Sequence, residues 1–196
     1  MRIGVLALQG AFEAHLRAFS ALSIDTIAVR TPPALAGIDG LVIPGGESTA
    51  LSMLIQSAEL EQPLRSAVVS KLPLFGTCAG MILLADEVTG RRPDQVNFDA
   101  IDIAVERNGY GRQLQSFEAD LDLDVTNDRR FRGVFIRAPR VTRLGPGVRV
   151  LARHLNDPVL VQEGRTLVAS FHPELTSDLS LHQYFITNVV RAAEAA

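Results

Sequence analysis

Short apolar runs alternate with helical periodicities along the first half of the chain. Four runs have strand length and are apolar at successive positions: "RIGVLAL" (2–8), "TIAVR" (26–30), "GLVIP" (40–44) and "LPLF" (72–75). Between them, residues 10–22 have helical spacing, residues 48–70 predict a helix interrupted near Pro63, and "AGMILLADEV" (79–88) predicts another helix. Strands apolar on both faces that alternate with helices predict a parallel sheet covered on both sides.

The second half predicts strands of a different kind. "TGRRPDQVN" (89–97) predicts a loop. Four later runs predict an antiparallel extension of the sheet: "GVFIRAP" (133–139), "VRVLARHL" (148–155), "PVLVQEG" (158–164) and "RTLVASFHPE" (165–174). Residues 177–196 predict a closing helix. The whole pattern predicts one doubly wound α/β domain over residues 1–196, with a mostly parallel central sheet.

One strand has a strongly acidic face. "FEADLDLDV" (117–125) alternates strictly, and its polar face consists of Glu118, Asp120, Asp122 and Asp124. A half-exposed strand with a solvated acidic face explains this pattern more simply than a metal site. We therefore expect no metal there.

Composition and charge narrow the function classes. The chain has 196 residues, of which 47% are hydrophobic and 21% charged, with a formal net charge of −3. This balance is ordinary for a globular protein and offers no basic surface for nucleic acid or an anionic membrane. The apolar stretch at the amino terminus is too short for a signal peptide, and no apolar run in the sequence reaches membrane-spanning length. A single cysteine cannot form an intramolecular disulfide, so a reducing, cytoplasmic location is expected.

That cysteine, Cys78, stands in "FGTCAG" (75–80), directly after a predicted strand and before a predicted helix. The flanking glycines, Gly76 and Gly80, allow a sharp turn like the nucleophile elbow of hydrolases. A helix amino terminus there would favour the thiolate and point free N–H groups at an oxyanion. Free cysteine is also among the most buried residue types, so the hexapeptide alone leaves both interpretations open.

A cysteine nucleophile needs a base, and the chain offers His15, His154, His172 and His182. His15 and His182 lie in predicted helices, where a partly exposed position is expected. His172 ends a strand-like run, and Glu174 follows two residues later across a proline, which places both side chains on one face. The carboxylate could then orient the imidazole as the third member of a catalytic triad.

Glycine-containing turns fall at the same edge of the predicted sheet. "LVIPGGESTA" (41–50) places Gly45 and Gly46 after a strand, with Ser48 or Thr49 available to cap the next helix. The lysine of a phosphate-binding loop is missing, which argues against a nucleotide site. Backbone N–H groups of this turn, and of the turn around Gly10 in "ALQGAF", could complete an oxyanion hole.

Together, "GTCAG", "FHPE", "PGGEST" and "ALQGA" resemble the triad-bearing class I glutamine amidotransferases. "GVLALQG", "IPGGEST", "ERNGYGRQ", "FIRAP" and "ASFHPELT" more narrowly resemble the glutaminase subunits of pyridoxal 5′-phosphate synthase, from residue 3 to about residue 190. The resemblance implies a doubly wound α/β domain without cofactor or metal. It also implies an enzyme that hydrolyses L-glutamine and passes ammonia to a separate synthase subunit.

The same resemblance assigns roles to individual residues. It implies Cys78 as nucleophile, His172 as base and acid, and Glu174 as the residue that orients His172. The implied glutamine-binding residues are Gly46, Glu47, Ser48, Arg107, Ile136 and Arg137. The implied oxyanion donors are the N–H groups of Gly10, Gly46 and Ala79.

Other functions stay open at this point. Glutaminase subunits that serve histidine or purine synthesis share the general motifs. A cysteine hydrolase or peptidase on a related α/β fold would use the same triad without a partner. A subunit that only docks would not need Cys78 at all.

Overall fold

The computed structural model describes residues 1–110, 116–124 and 130–194. Gly111, Arg112 and Gln113 of "ERNGYGRQ" and Val125 of the acidic strand lie outside the described residues. The strands are β1 (Arg2–Leu6), β2 (Asp25–Val29), β3 (Gly40–Ile43), β4 (Leu74–Thr77), β5 (Ala85–Thr89), β6 (Ile101–Glu106), β7 (Ser116–Asp122), β8 (Arg130–Ile136), β9 (Arg140–Leu144), β10 (Arg149–His154), β11 (Asp157–Glu163) and β12 (Thr166–Ala169). The helices are α1 (Phe12–Ala21), α2 (Ser48–Ser57), α3 (Glu61–Val69), α4 (Ala79–Leu84), α5 (Ser180–Tyr184) and α6 (Arg191–Glu194), with a π-helical stretch at Phe185–Val190.

Seven strands form the central sheet, in the order β10-β11-β12-β4-β3-β1-β2. The pairings from β12 to β2 are parallel, whereas β10 and β11 add antiparallel strands at one edge. The predicted α/β class, with a mostly parallel sheet and an antiparallel extension, is confirmed. The carboxyl ends of β1, β3, β4 and β12 meet at one edge, where ligands bind in open sheets of this kind.

The sheet is covered on both faces because its central strands alternate their apolar side chains. On β3, Leu41 and Ile43 pack into one buried cluster together with residues of α2, α3 and α4. Val42 points the other way, into a second cluster with Phe19 of α1 and Phe185 of the closing helix. Burial on both faces explains why the strands read as uninterrupted apolar runs.

Two smaller sheets lie outside the central one. Strand β6 pairs with β5 and β9, and β7 pairs with β8. The prediction that "GVFIRAP" extends the central sheet is therefore wrong, because β8 takes β7 as its antiparallel partner instead. Arg132 on β8 ion-pairs with Glu118 and Asp120 at 2.8 and 3.0 Å, so part of the acidic face of β7 is paired across the strands.

One predicted helix boundary is also wrong, and one predicted helix break is confirmed slightly earlier in the chain. The helix that follows Cys78 ends at Leu84, and Ala85–Thr89 forms β5 because it pairs with β6. The interruption near Pro63 falls earlier, at residues 58–60, and Pro63 lies in the first turn of α3, where its missing N–H costs no hydrogen bond. Within the described residues, no helix has both the length and the apolar character needed to cross a membrane.

Candidate active site

Cys78 lies on the sharp turn between β4 and α4. Its backbone has φ 49° and ψ −101°, a conformation in the left-handed half of the map that residues other than glycine rarely adopt. The short helix packs so closely on the neighbouring strand that a Cβ at Gly80 would overlap the carbonyl oxygen of Ile43. The turn therefore requires glycine at position 80, and it places Cys78 at the carboxyl end of β4.

Cys78 has polar contacts although the residue is only 5% exposed. Its N–H donates to the carbonyl oxygen of Ala169 at 2.8 Å, which ties the turn to β12. Its Sγ lies 3.8 Å from the carbonyl oxygen of Ile136, and its side chain interacts with the imidazole of His172, whose pKa it helps to raise. A cysteine that only fills space has apolar neighbours, so these contacts favour the nucleophile interpretation.

His172 and Glu174 form the rest of the triad geometry. Nδ1 of His172 lies 2.7 Å from Oε1 of Glu174, and both residues are 7% exposed. Burial lowers the pKa of His172, but its hydrogen bonds and charge interactions with Cys78 and Glu174 outweigh burial and raise that pKa to about 10. Burial raises the pKa of Glu174, yet the neighbouring His15 and His172 hold it below its usual value. Glu174 therefore favours the protonated, imidazolium form of His172.

A cavity of about 150 Å³ opens in front of the triad. A cavity of this size accommodates a small organic group. Its walls contain Cys78, His172 and all six of the predicted glutamine-binding residues: Gly46, Glu47, Ser48, Arg107, Ile136 and Arg137. Glu174 lies behind His172 and does not line it. Gly10 and Ala79 do not line the cavity either. If their N–H groups donate to an oxyanion, they do so from the edge of the cavity.

Two lining residues, Ile82 and Asn108, were not predicted from the sequence. Ile82 lies one turn along α4 from Cys78, so helical spacing from the nucleophile is the signal that could have found it. Asn108 has φ 54° in the turn after β6, next to Arg107. Asparagine tolerates that conformation, which makes the "RNG" turn a second available signal.

Glu47 connects the glycine turn to the far wall of the cavity. It is the N-cap of α2, and its carboxylate accepts from the N–H groups of Thr49 and Ala50 at 3.0 and 2.7 Å. The prediction that Ser48 or Thr49 caps this helix is therefore wrong. Nη2 of Arg107 ion-pairs with the same carboxylate at 2.9 Å. Burial raises the pKa of Glu47, but the two backbone N–H groups and Arg107 outweigh it and lower that pKa. Arg107 thus fixes the amino terminus of α2 beside the cavity.

The turns of Gly10 and Gly45 cross in direct contact. Gly10 has φ +77°, and a Cβ on it would overlap the carbonyl oxygen of Gly45. Gly46 follows with φ +155°, next to the side chain of Gln9, whose Nε2 donates to the carbonyl oxygen of Glu47 at 2.6 Å. Both backbone conformations favour glycine. The crossing therefore fixes the backbone of this turn, which at Gly45 lies against Cys78 and His172.

Replacing Gly10 by alanine should lower glutamine turnover far more than replacing Gly37. Both glycines have a left-handed φ, +77° and +71°, so alanine costs each about 1–2 kcal/mol of backbone strain. Only at Gly10 does the new methyl group collide with another backbone, because nothing lies within 4 Å of the position at Gly37. Steady-state turnover and thermal unfolding of both variants measure this difference. Equal losses of turnover in the two variants would show that the contact between Gly10 and Gly45 does not support activity.

His15 and His182 are fully buried, which corrects the expectation that they are partly exposed. The helical pattern places them on α1 and α5 but cannot show that His15 packs against Glu174 and His182 against His15. Among the described residues, no group of three or more histidine, cysteine, aspartate or glutamate side chains has the arrangement of a metal site.

Comparison with known proteins identifies close relatives. Residues 5–191 match the SNO glutamine amidotransferase family. The pyridoxal 5′-phosphate synthase subunit PdxT of Pelotomaculum thermopropionicum is 50% identical over 194 residues, covering 99% of this chain and 98% of that protein. A solved structure described as a glutamine amidotransferase is 48% identical with a TM-score of 0.87, covering 94% of this chain and 96% of that one. A putative GMP synthase component from Thermoplasma acidophilum has a TM-score of 0.70 at 15% identity, covering 100% and 96%, and shares the fold alone.

Proposed function

Because the chain belongs to the SNO glutamine amidotransferase family, we propose that it hydrolyses L-glutamine to L-glutamate and ammonia and delivers the ammonia to a separate pyridoxal 5′-phosphate synthase subunit. The observation that carries the proposal is the line formed by Cys78, His172 and Glu174 beside one small cavity. The substrate and the acceptor come from the relatives, since geometry alone specifies only an acyl-transfer site.

The first chemical step is attack by the Cys78 thiolate on the side-chain carboxamide of glutamine. The carbon–sulfur bond forms while the carbonyl oxygen becomes an oxyanion. The N–H groups of Ala79, Gly10 and Gly46 are the proposed donors, and one such donor contributes on the order of 3 kcal/mol in comparable sites. Ala79 begins α4, where backbone N–H groups have no acceptor within the helix.

The second step releases ammonia. His172 is held as an imidazolium by Glu174, so it has a proton to give to the departing nitrogen when the tetrahedral intermediate collapses. The product is a glutamyl thioester on Cys78. The neutral imidazole left behind then accepts a proton from water, which attacks the thioester and releases glutamate. Glu174 keeps the same tautomer of His172 in both half-reactions.

The remaining lining residues are proposed to hold the amino-acid end of glutamine. Arg107 and Glu47 present a paired cation and anion at one wall of the cavity, and the backbone at Ile136 and Arg137 forms another. The carbonyl oxygen of Ile136 reaches the thiol in the structure, which orients Sγ before substrate enters. We assign this binding and catalytic unit to one domain over residues 1–196, working in the cytoplasm.

A separate acceptor follows from the chemistry of ammonia. Ammonia that escapes into water at neutral pH is protonated and loses its nucleophilic lone pair. The chain spans 98% of the PdxT protein it matches, and that protein is named as a subunit of a synthase. The acceptor active site is therefore placed on the other subunit, and the two must dock for transfer.

The test measures glutamate release from L-glutamine by the purified chain, alone and with a pyridoxal 5′-phosphate synthase subunit. The matched control uses the synthase partner of histidine or purine biosynthesis instead. We expect turnover with the first partner and no stimulation by the others. Stimulation by a histidine or purine partner would reassign the pathway, and cleavage of peptides or esters without glutamine turnover would favour a general cysteine hydrolase.

A further inference from the structure

Behind the triad, on the side away from the cavity, lie two histidines that the proposed reaction does not use. His15 of α1 and His182 of α5 are both 0% exposed, and Nδ1 of His15 lies 2.9 Å from Nε2 of His182. On its other side, Nε2 of His15 lies 3.3 Å from Oε2 of Glu174. Contacts therefore connect the side chains from Cys78 through His172 and Glu174 to His15 and His182.

Both buried rings are neutral. Burial lowers the pKa of His15, and this outweighs the charge of Glu174, which acts in the opposite direction. Burial and the neighbouring His15 lower the pKa of His182 to about 3. The rings of Phe19 and Phe75 lie 5.0 and 6.1 Å from that of His182, so the pocket around it is apolar. Each imidazole thus carries one N–H, and its position decides what the ring can do.

The contacts determine those positions. Oε2 of Glu174 is buried and has no hydrogen-bond partner among the described residues, but Nε2 of His15 faces it as an ion-pair contact at 3.3 Å, so the anionic oxygen favours the proton of His15 on Nε2. Nδ1 of His15 then accepts from the Nε2–H of His182. This leaves a bare lone pair on Nδ1 of His182, which indeed has no hydrogen-bond partner among the described residues. One tautomer of each ring therefore fits both the hydrogen bond between the two histidines and the ion-pair contact with Glu174.

Other groups near this pair are already engaged. Oγ1 of Thr77 lies 3.4 Å from Nε2 of His15 and accepts from the N–H of Gly45 at 3.0 Å. Arg17 borders the groove outside Glu174, and its guanidinium faces Glu13 at 3.9 Å. No charged side chain other than His172 and Glu174 acts on His15 in the described residues. Among these side chains, His15 is the one that faces the second oxygen of Glu174.

We propose that His15, held in one tautomer by His182, is a positioning residue that fixes the carboxylate of Glu174 through its second oxygen. A carboxylate held by one contact can rotate about its side-chain bonds, whereas one held at both oxygens stays in plane with the imidazole of His172. The proposed effect reaches Cys78 through Glu174 and His172. The inference rests on the proposed triad, and it deepens that function.

Two amide substitutions at His15 form a matched pair for the test. The amide nitrogen of His15→Gln can reach the position of Nε2 and donate to Glu174. The amide of His15→Asn is shorter, reaches only the position of Nδ1, and leaves Glu174 without its donor. His154→Gln is the control, because His154 stacks on Phe117 outside the cavity lining. The variants are assayed as complexes with the synthase subunit.

Three readouts are taken for each variant: kcat and KM for glutamine, the pH profile of kcat, and the pH profile of Cys78 alkylation by iodoacetamide without glutamine. We expect His15→Asn to lower kcat about tenfold or more, the scale for losing an outer partner of a catalytic group, with little change in KM. With Glu174 free to rotate away from it, the imidazolium of His172 is less well stabilised and loses its proton at lower pH, so the alkaline limb of the kcat profile and the alkylation profile should both move to lower pH. His15→Gln should restore most of both.

Alkylation of Cys78 tests the positioning role of His15 separately from the proposed glutaminase function. If the wild-type chain turns over no glutamine but its alkylation profile shifts in His15→Asn, the positioning role stands and the proposed function fails. If His15→Asn and His15→Gln lose activity equally, or lose stability with no shift in either profile, His15 is only a packing residue and the inference is overturned. If His15→Asn does not fold, His182→Phe replaces it in the test. A shift of its kcat and alkylation profiles to lower pH supports the positioning role of His15, and unchanged profiles overturn it.

Discussion

Cys78→Ala is expected to abolish glutamate formation by the complex, by a factor on the order of 10⁴ or more, the scale for removing a covalent nucleophile. The thiolate forms the intermediate, and Cys78 is the only cysteine in the chain, so no other thiol can replace it. The measurement is single-turnover formation of glutamate at saturating glutamine. The thermal unfolding midpoint serves as the control, because the loss must arise in a folded protein.

A second substitution at the same position separates chemistry from backbone strain. Cys78→Gly should be as inactive as Cys78→Ala but more stable, because φ 49° with ψ −101° is strained for alanine and accessible to glycine. Strain of this kind costs about 1–3 kcal/mol. If the alanine variant unfolds at the higher temperature, the turn is not strained as described. If either variant keeps its turnover, Cys78 is not the nucleophile.

Glu174→Gln should lower turnover by a factor on the order of 10²–10⁴, the upper value being that for an amide in place of the third triad member. Charge and hydrogen bonding from Glu174 help to raise the pKa of His172 to about 10, so losing the anion must lower that pKa. His172 must be protonated to release ammonia. The alkaline limb of the kcat profile should therefore move to lower pH in the variant.

Glu118→Gln is the matched control for this change. Glu118 lies on the exposed face of β7 and ion-pairs with Arg132, away from the cavity. Glu118→Gln removes one negative charge, as Glu174→Gln does, and we expect no change in turnover or in the alkaline limb of the kcat profile. An alkaline limb that stays in place in Glu174→Gln would show that Glu174 does not control the protonation of His172.

The patterns that predicted the fold and the proposed triad involve residues only a few positions apart. The apolar runs at β1, β3 and β4 were sufficient to predict the parallel sheet, because a strand buried on both faces has apolar residues at successive positions. Gly80 and Cys78 sit within one turn, and Glu174 follows His172 by two residues. Each of these relations is visible in a single hexapeptide.

The missed features depend on contacts between distant segments. Ala85–Thr89 is a strand only because β6 pairs with it, which its own helix-like pattern cannot reveal. Glu47 caps α2, but its ion pair with Arg107 joins residues sixty positions apart. His15 and His182 are 167 positions apart and meet only after both helices pack on the same face. Histidine on a helix has no periodic signature that distinguishes an exposed ring from a buried one.

In the proposed reaction, glutamine hydrolysis passes through a thioester on Cys78. Mass spectrometry of the complex, acid-quenched during turnover with L-glutamine and digested, detects that intermediate. We expect a glutamyl adduct on the peptide that contains Cys78, present in the wild type, absent without glutamine and absent in Cys78→Ala. Rapid glutamate formation with no adduct on that peptide, and with turnover preserved in Cys78→Ala, would contradict it.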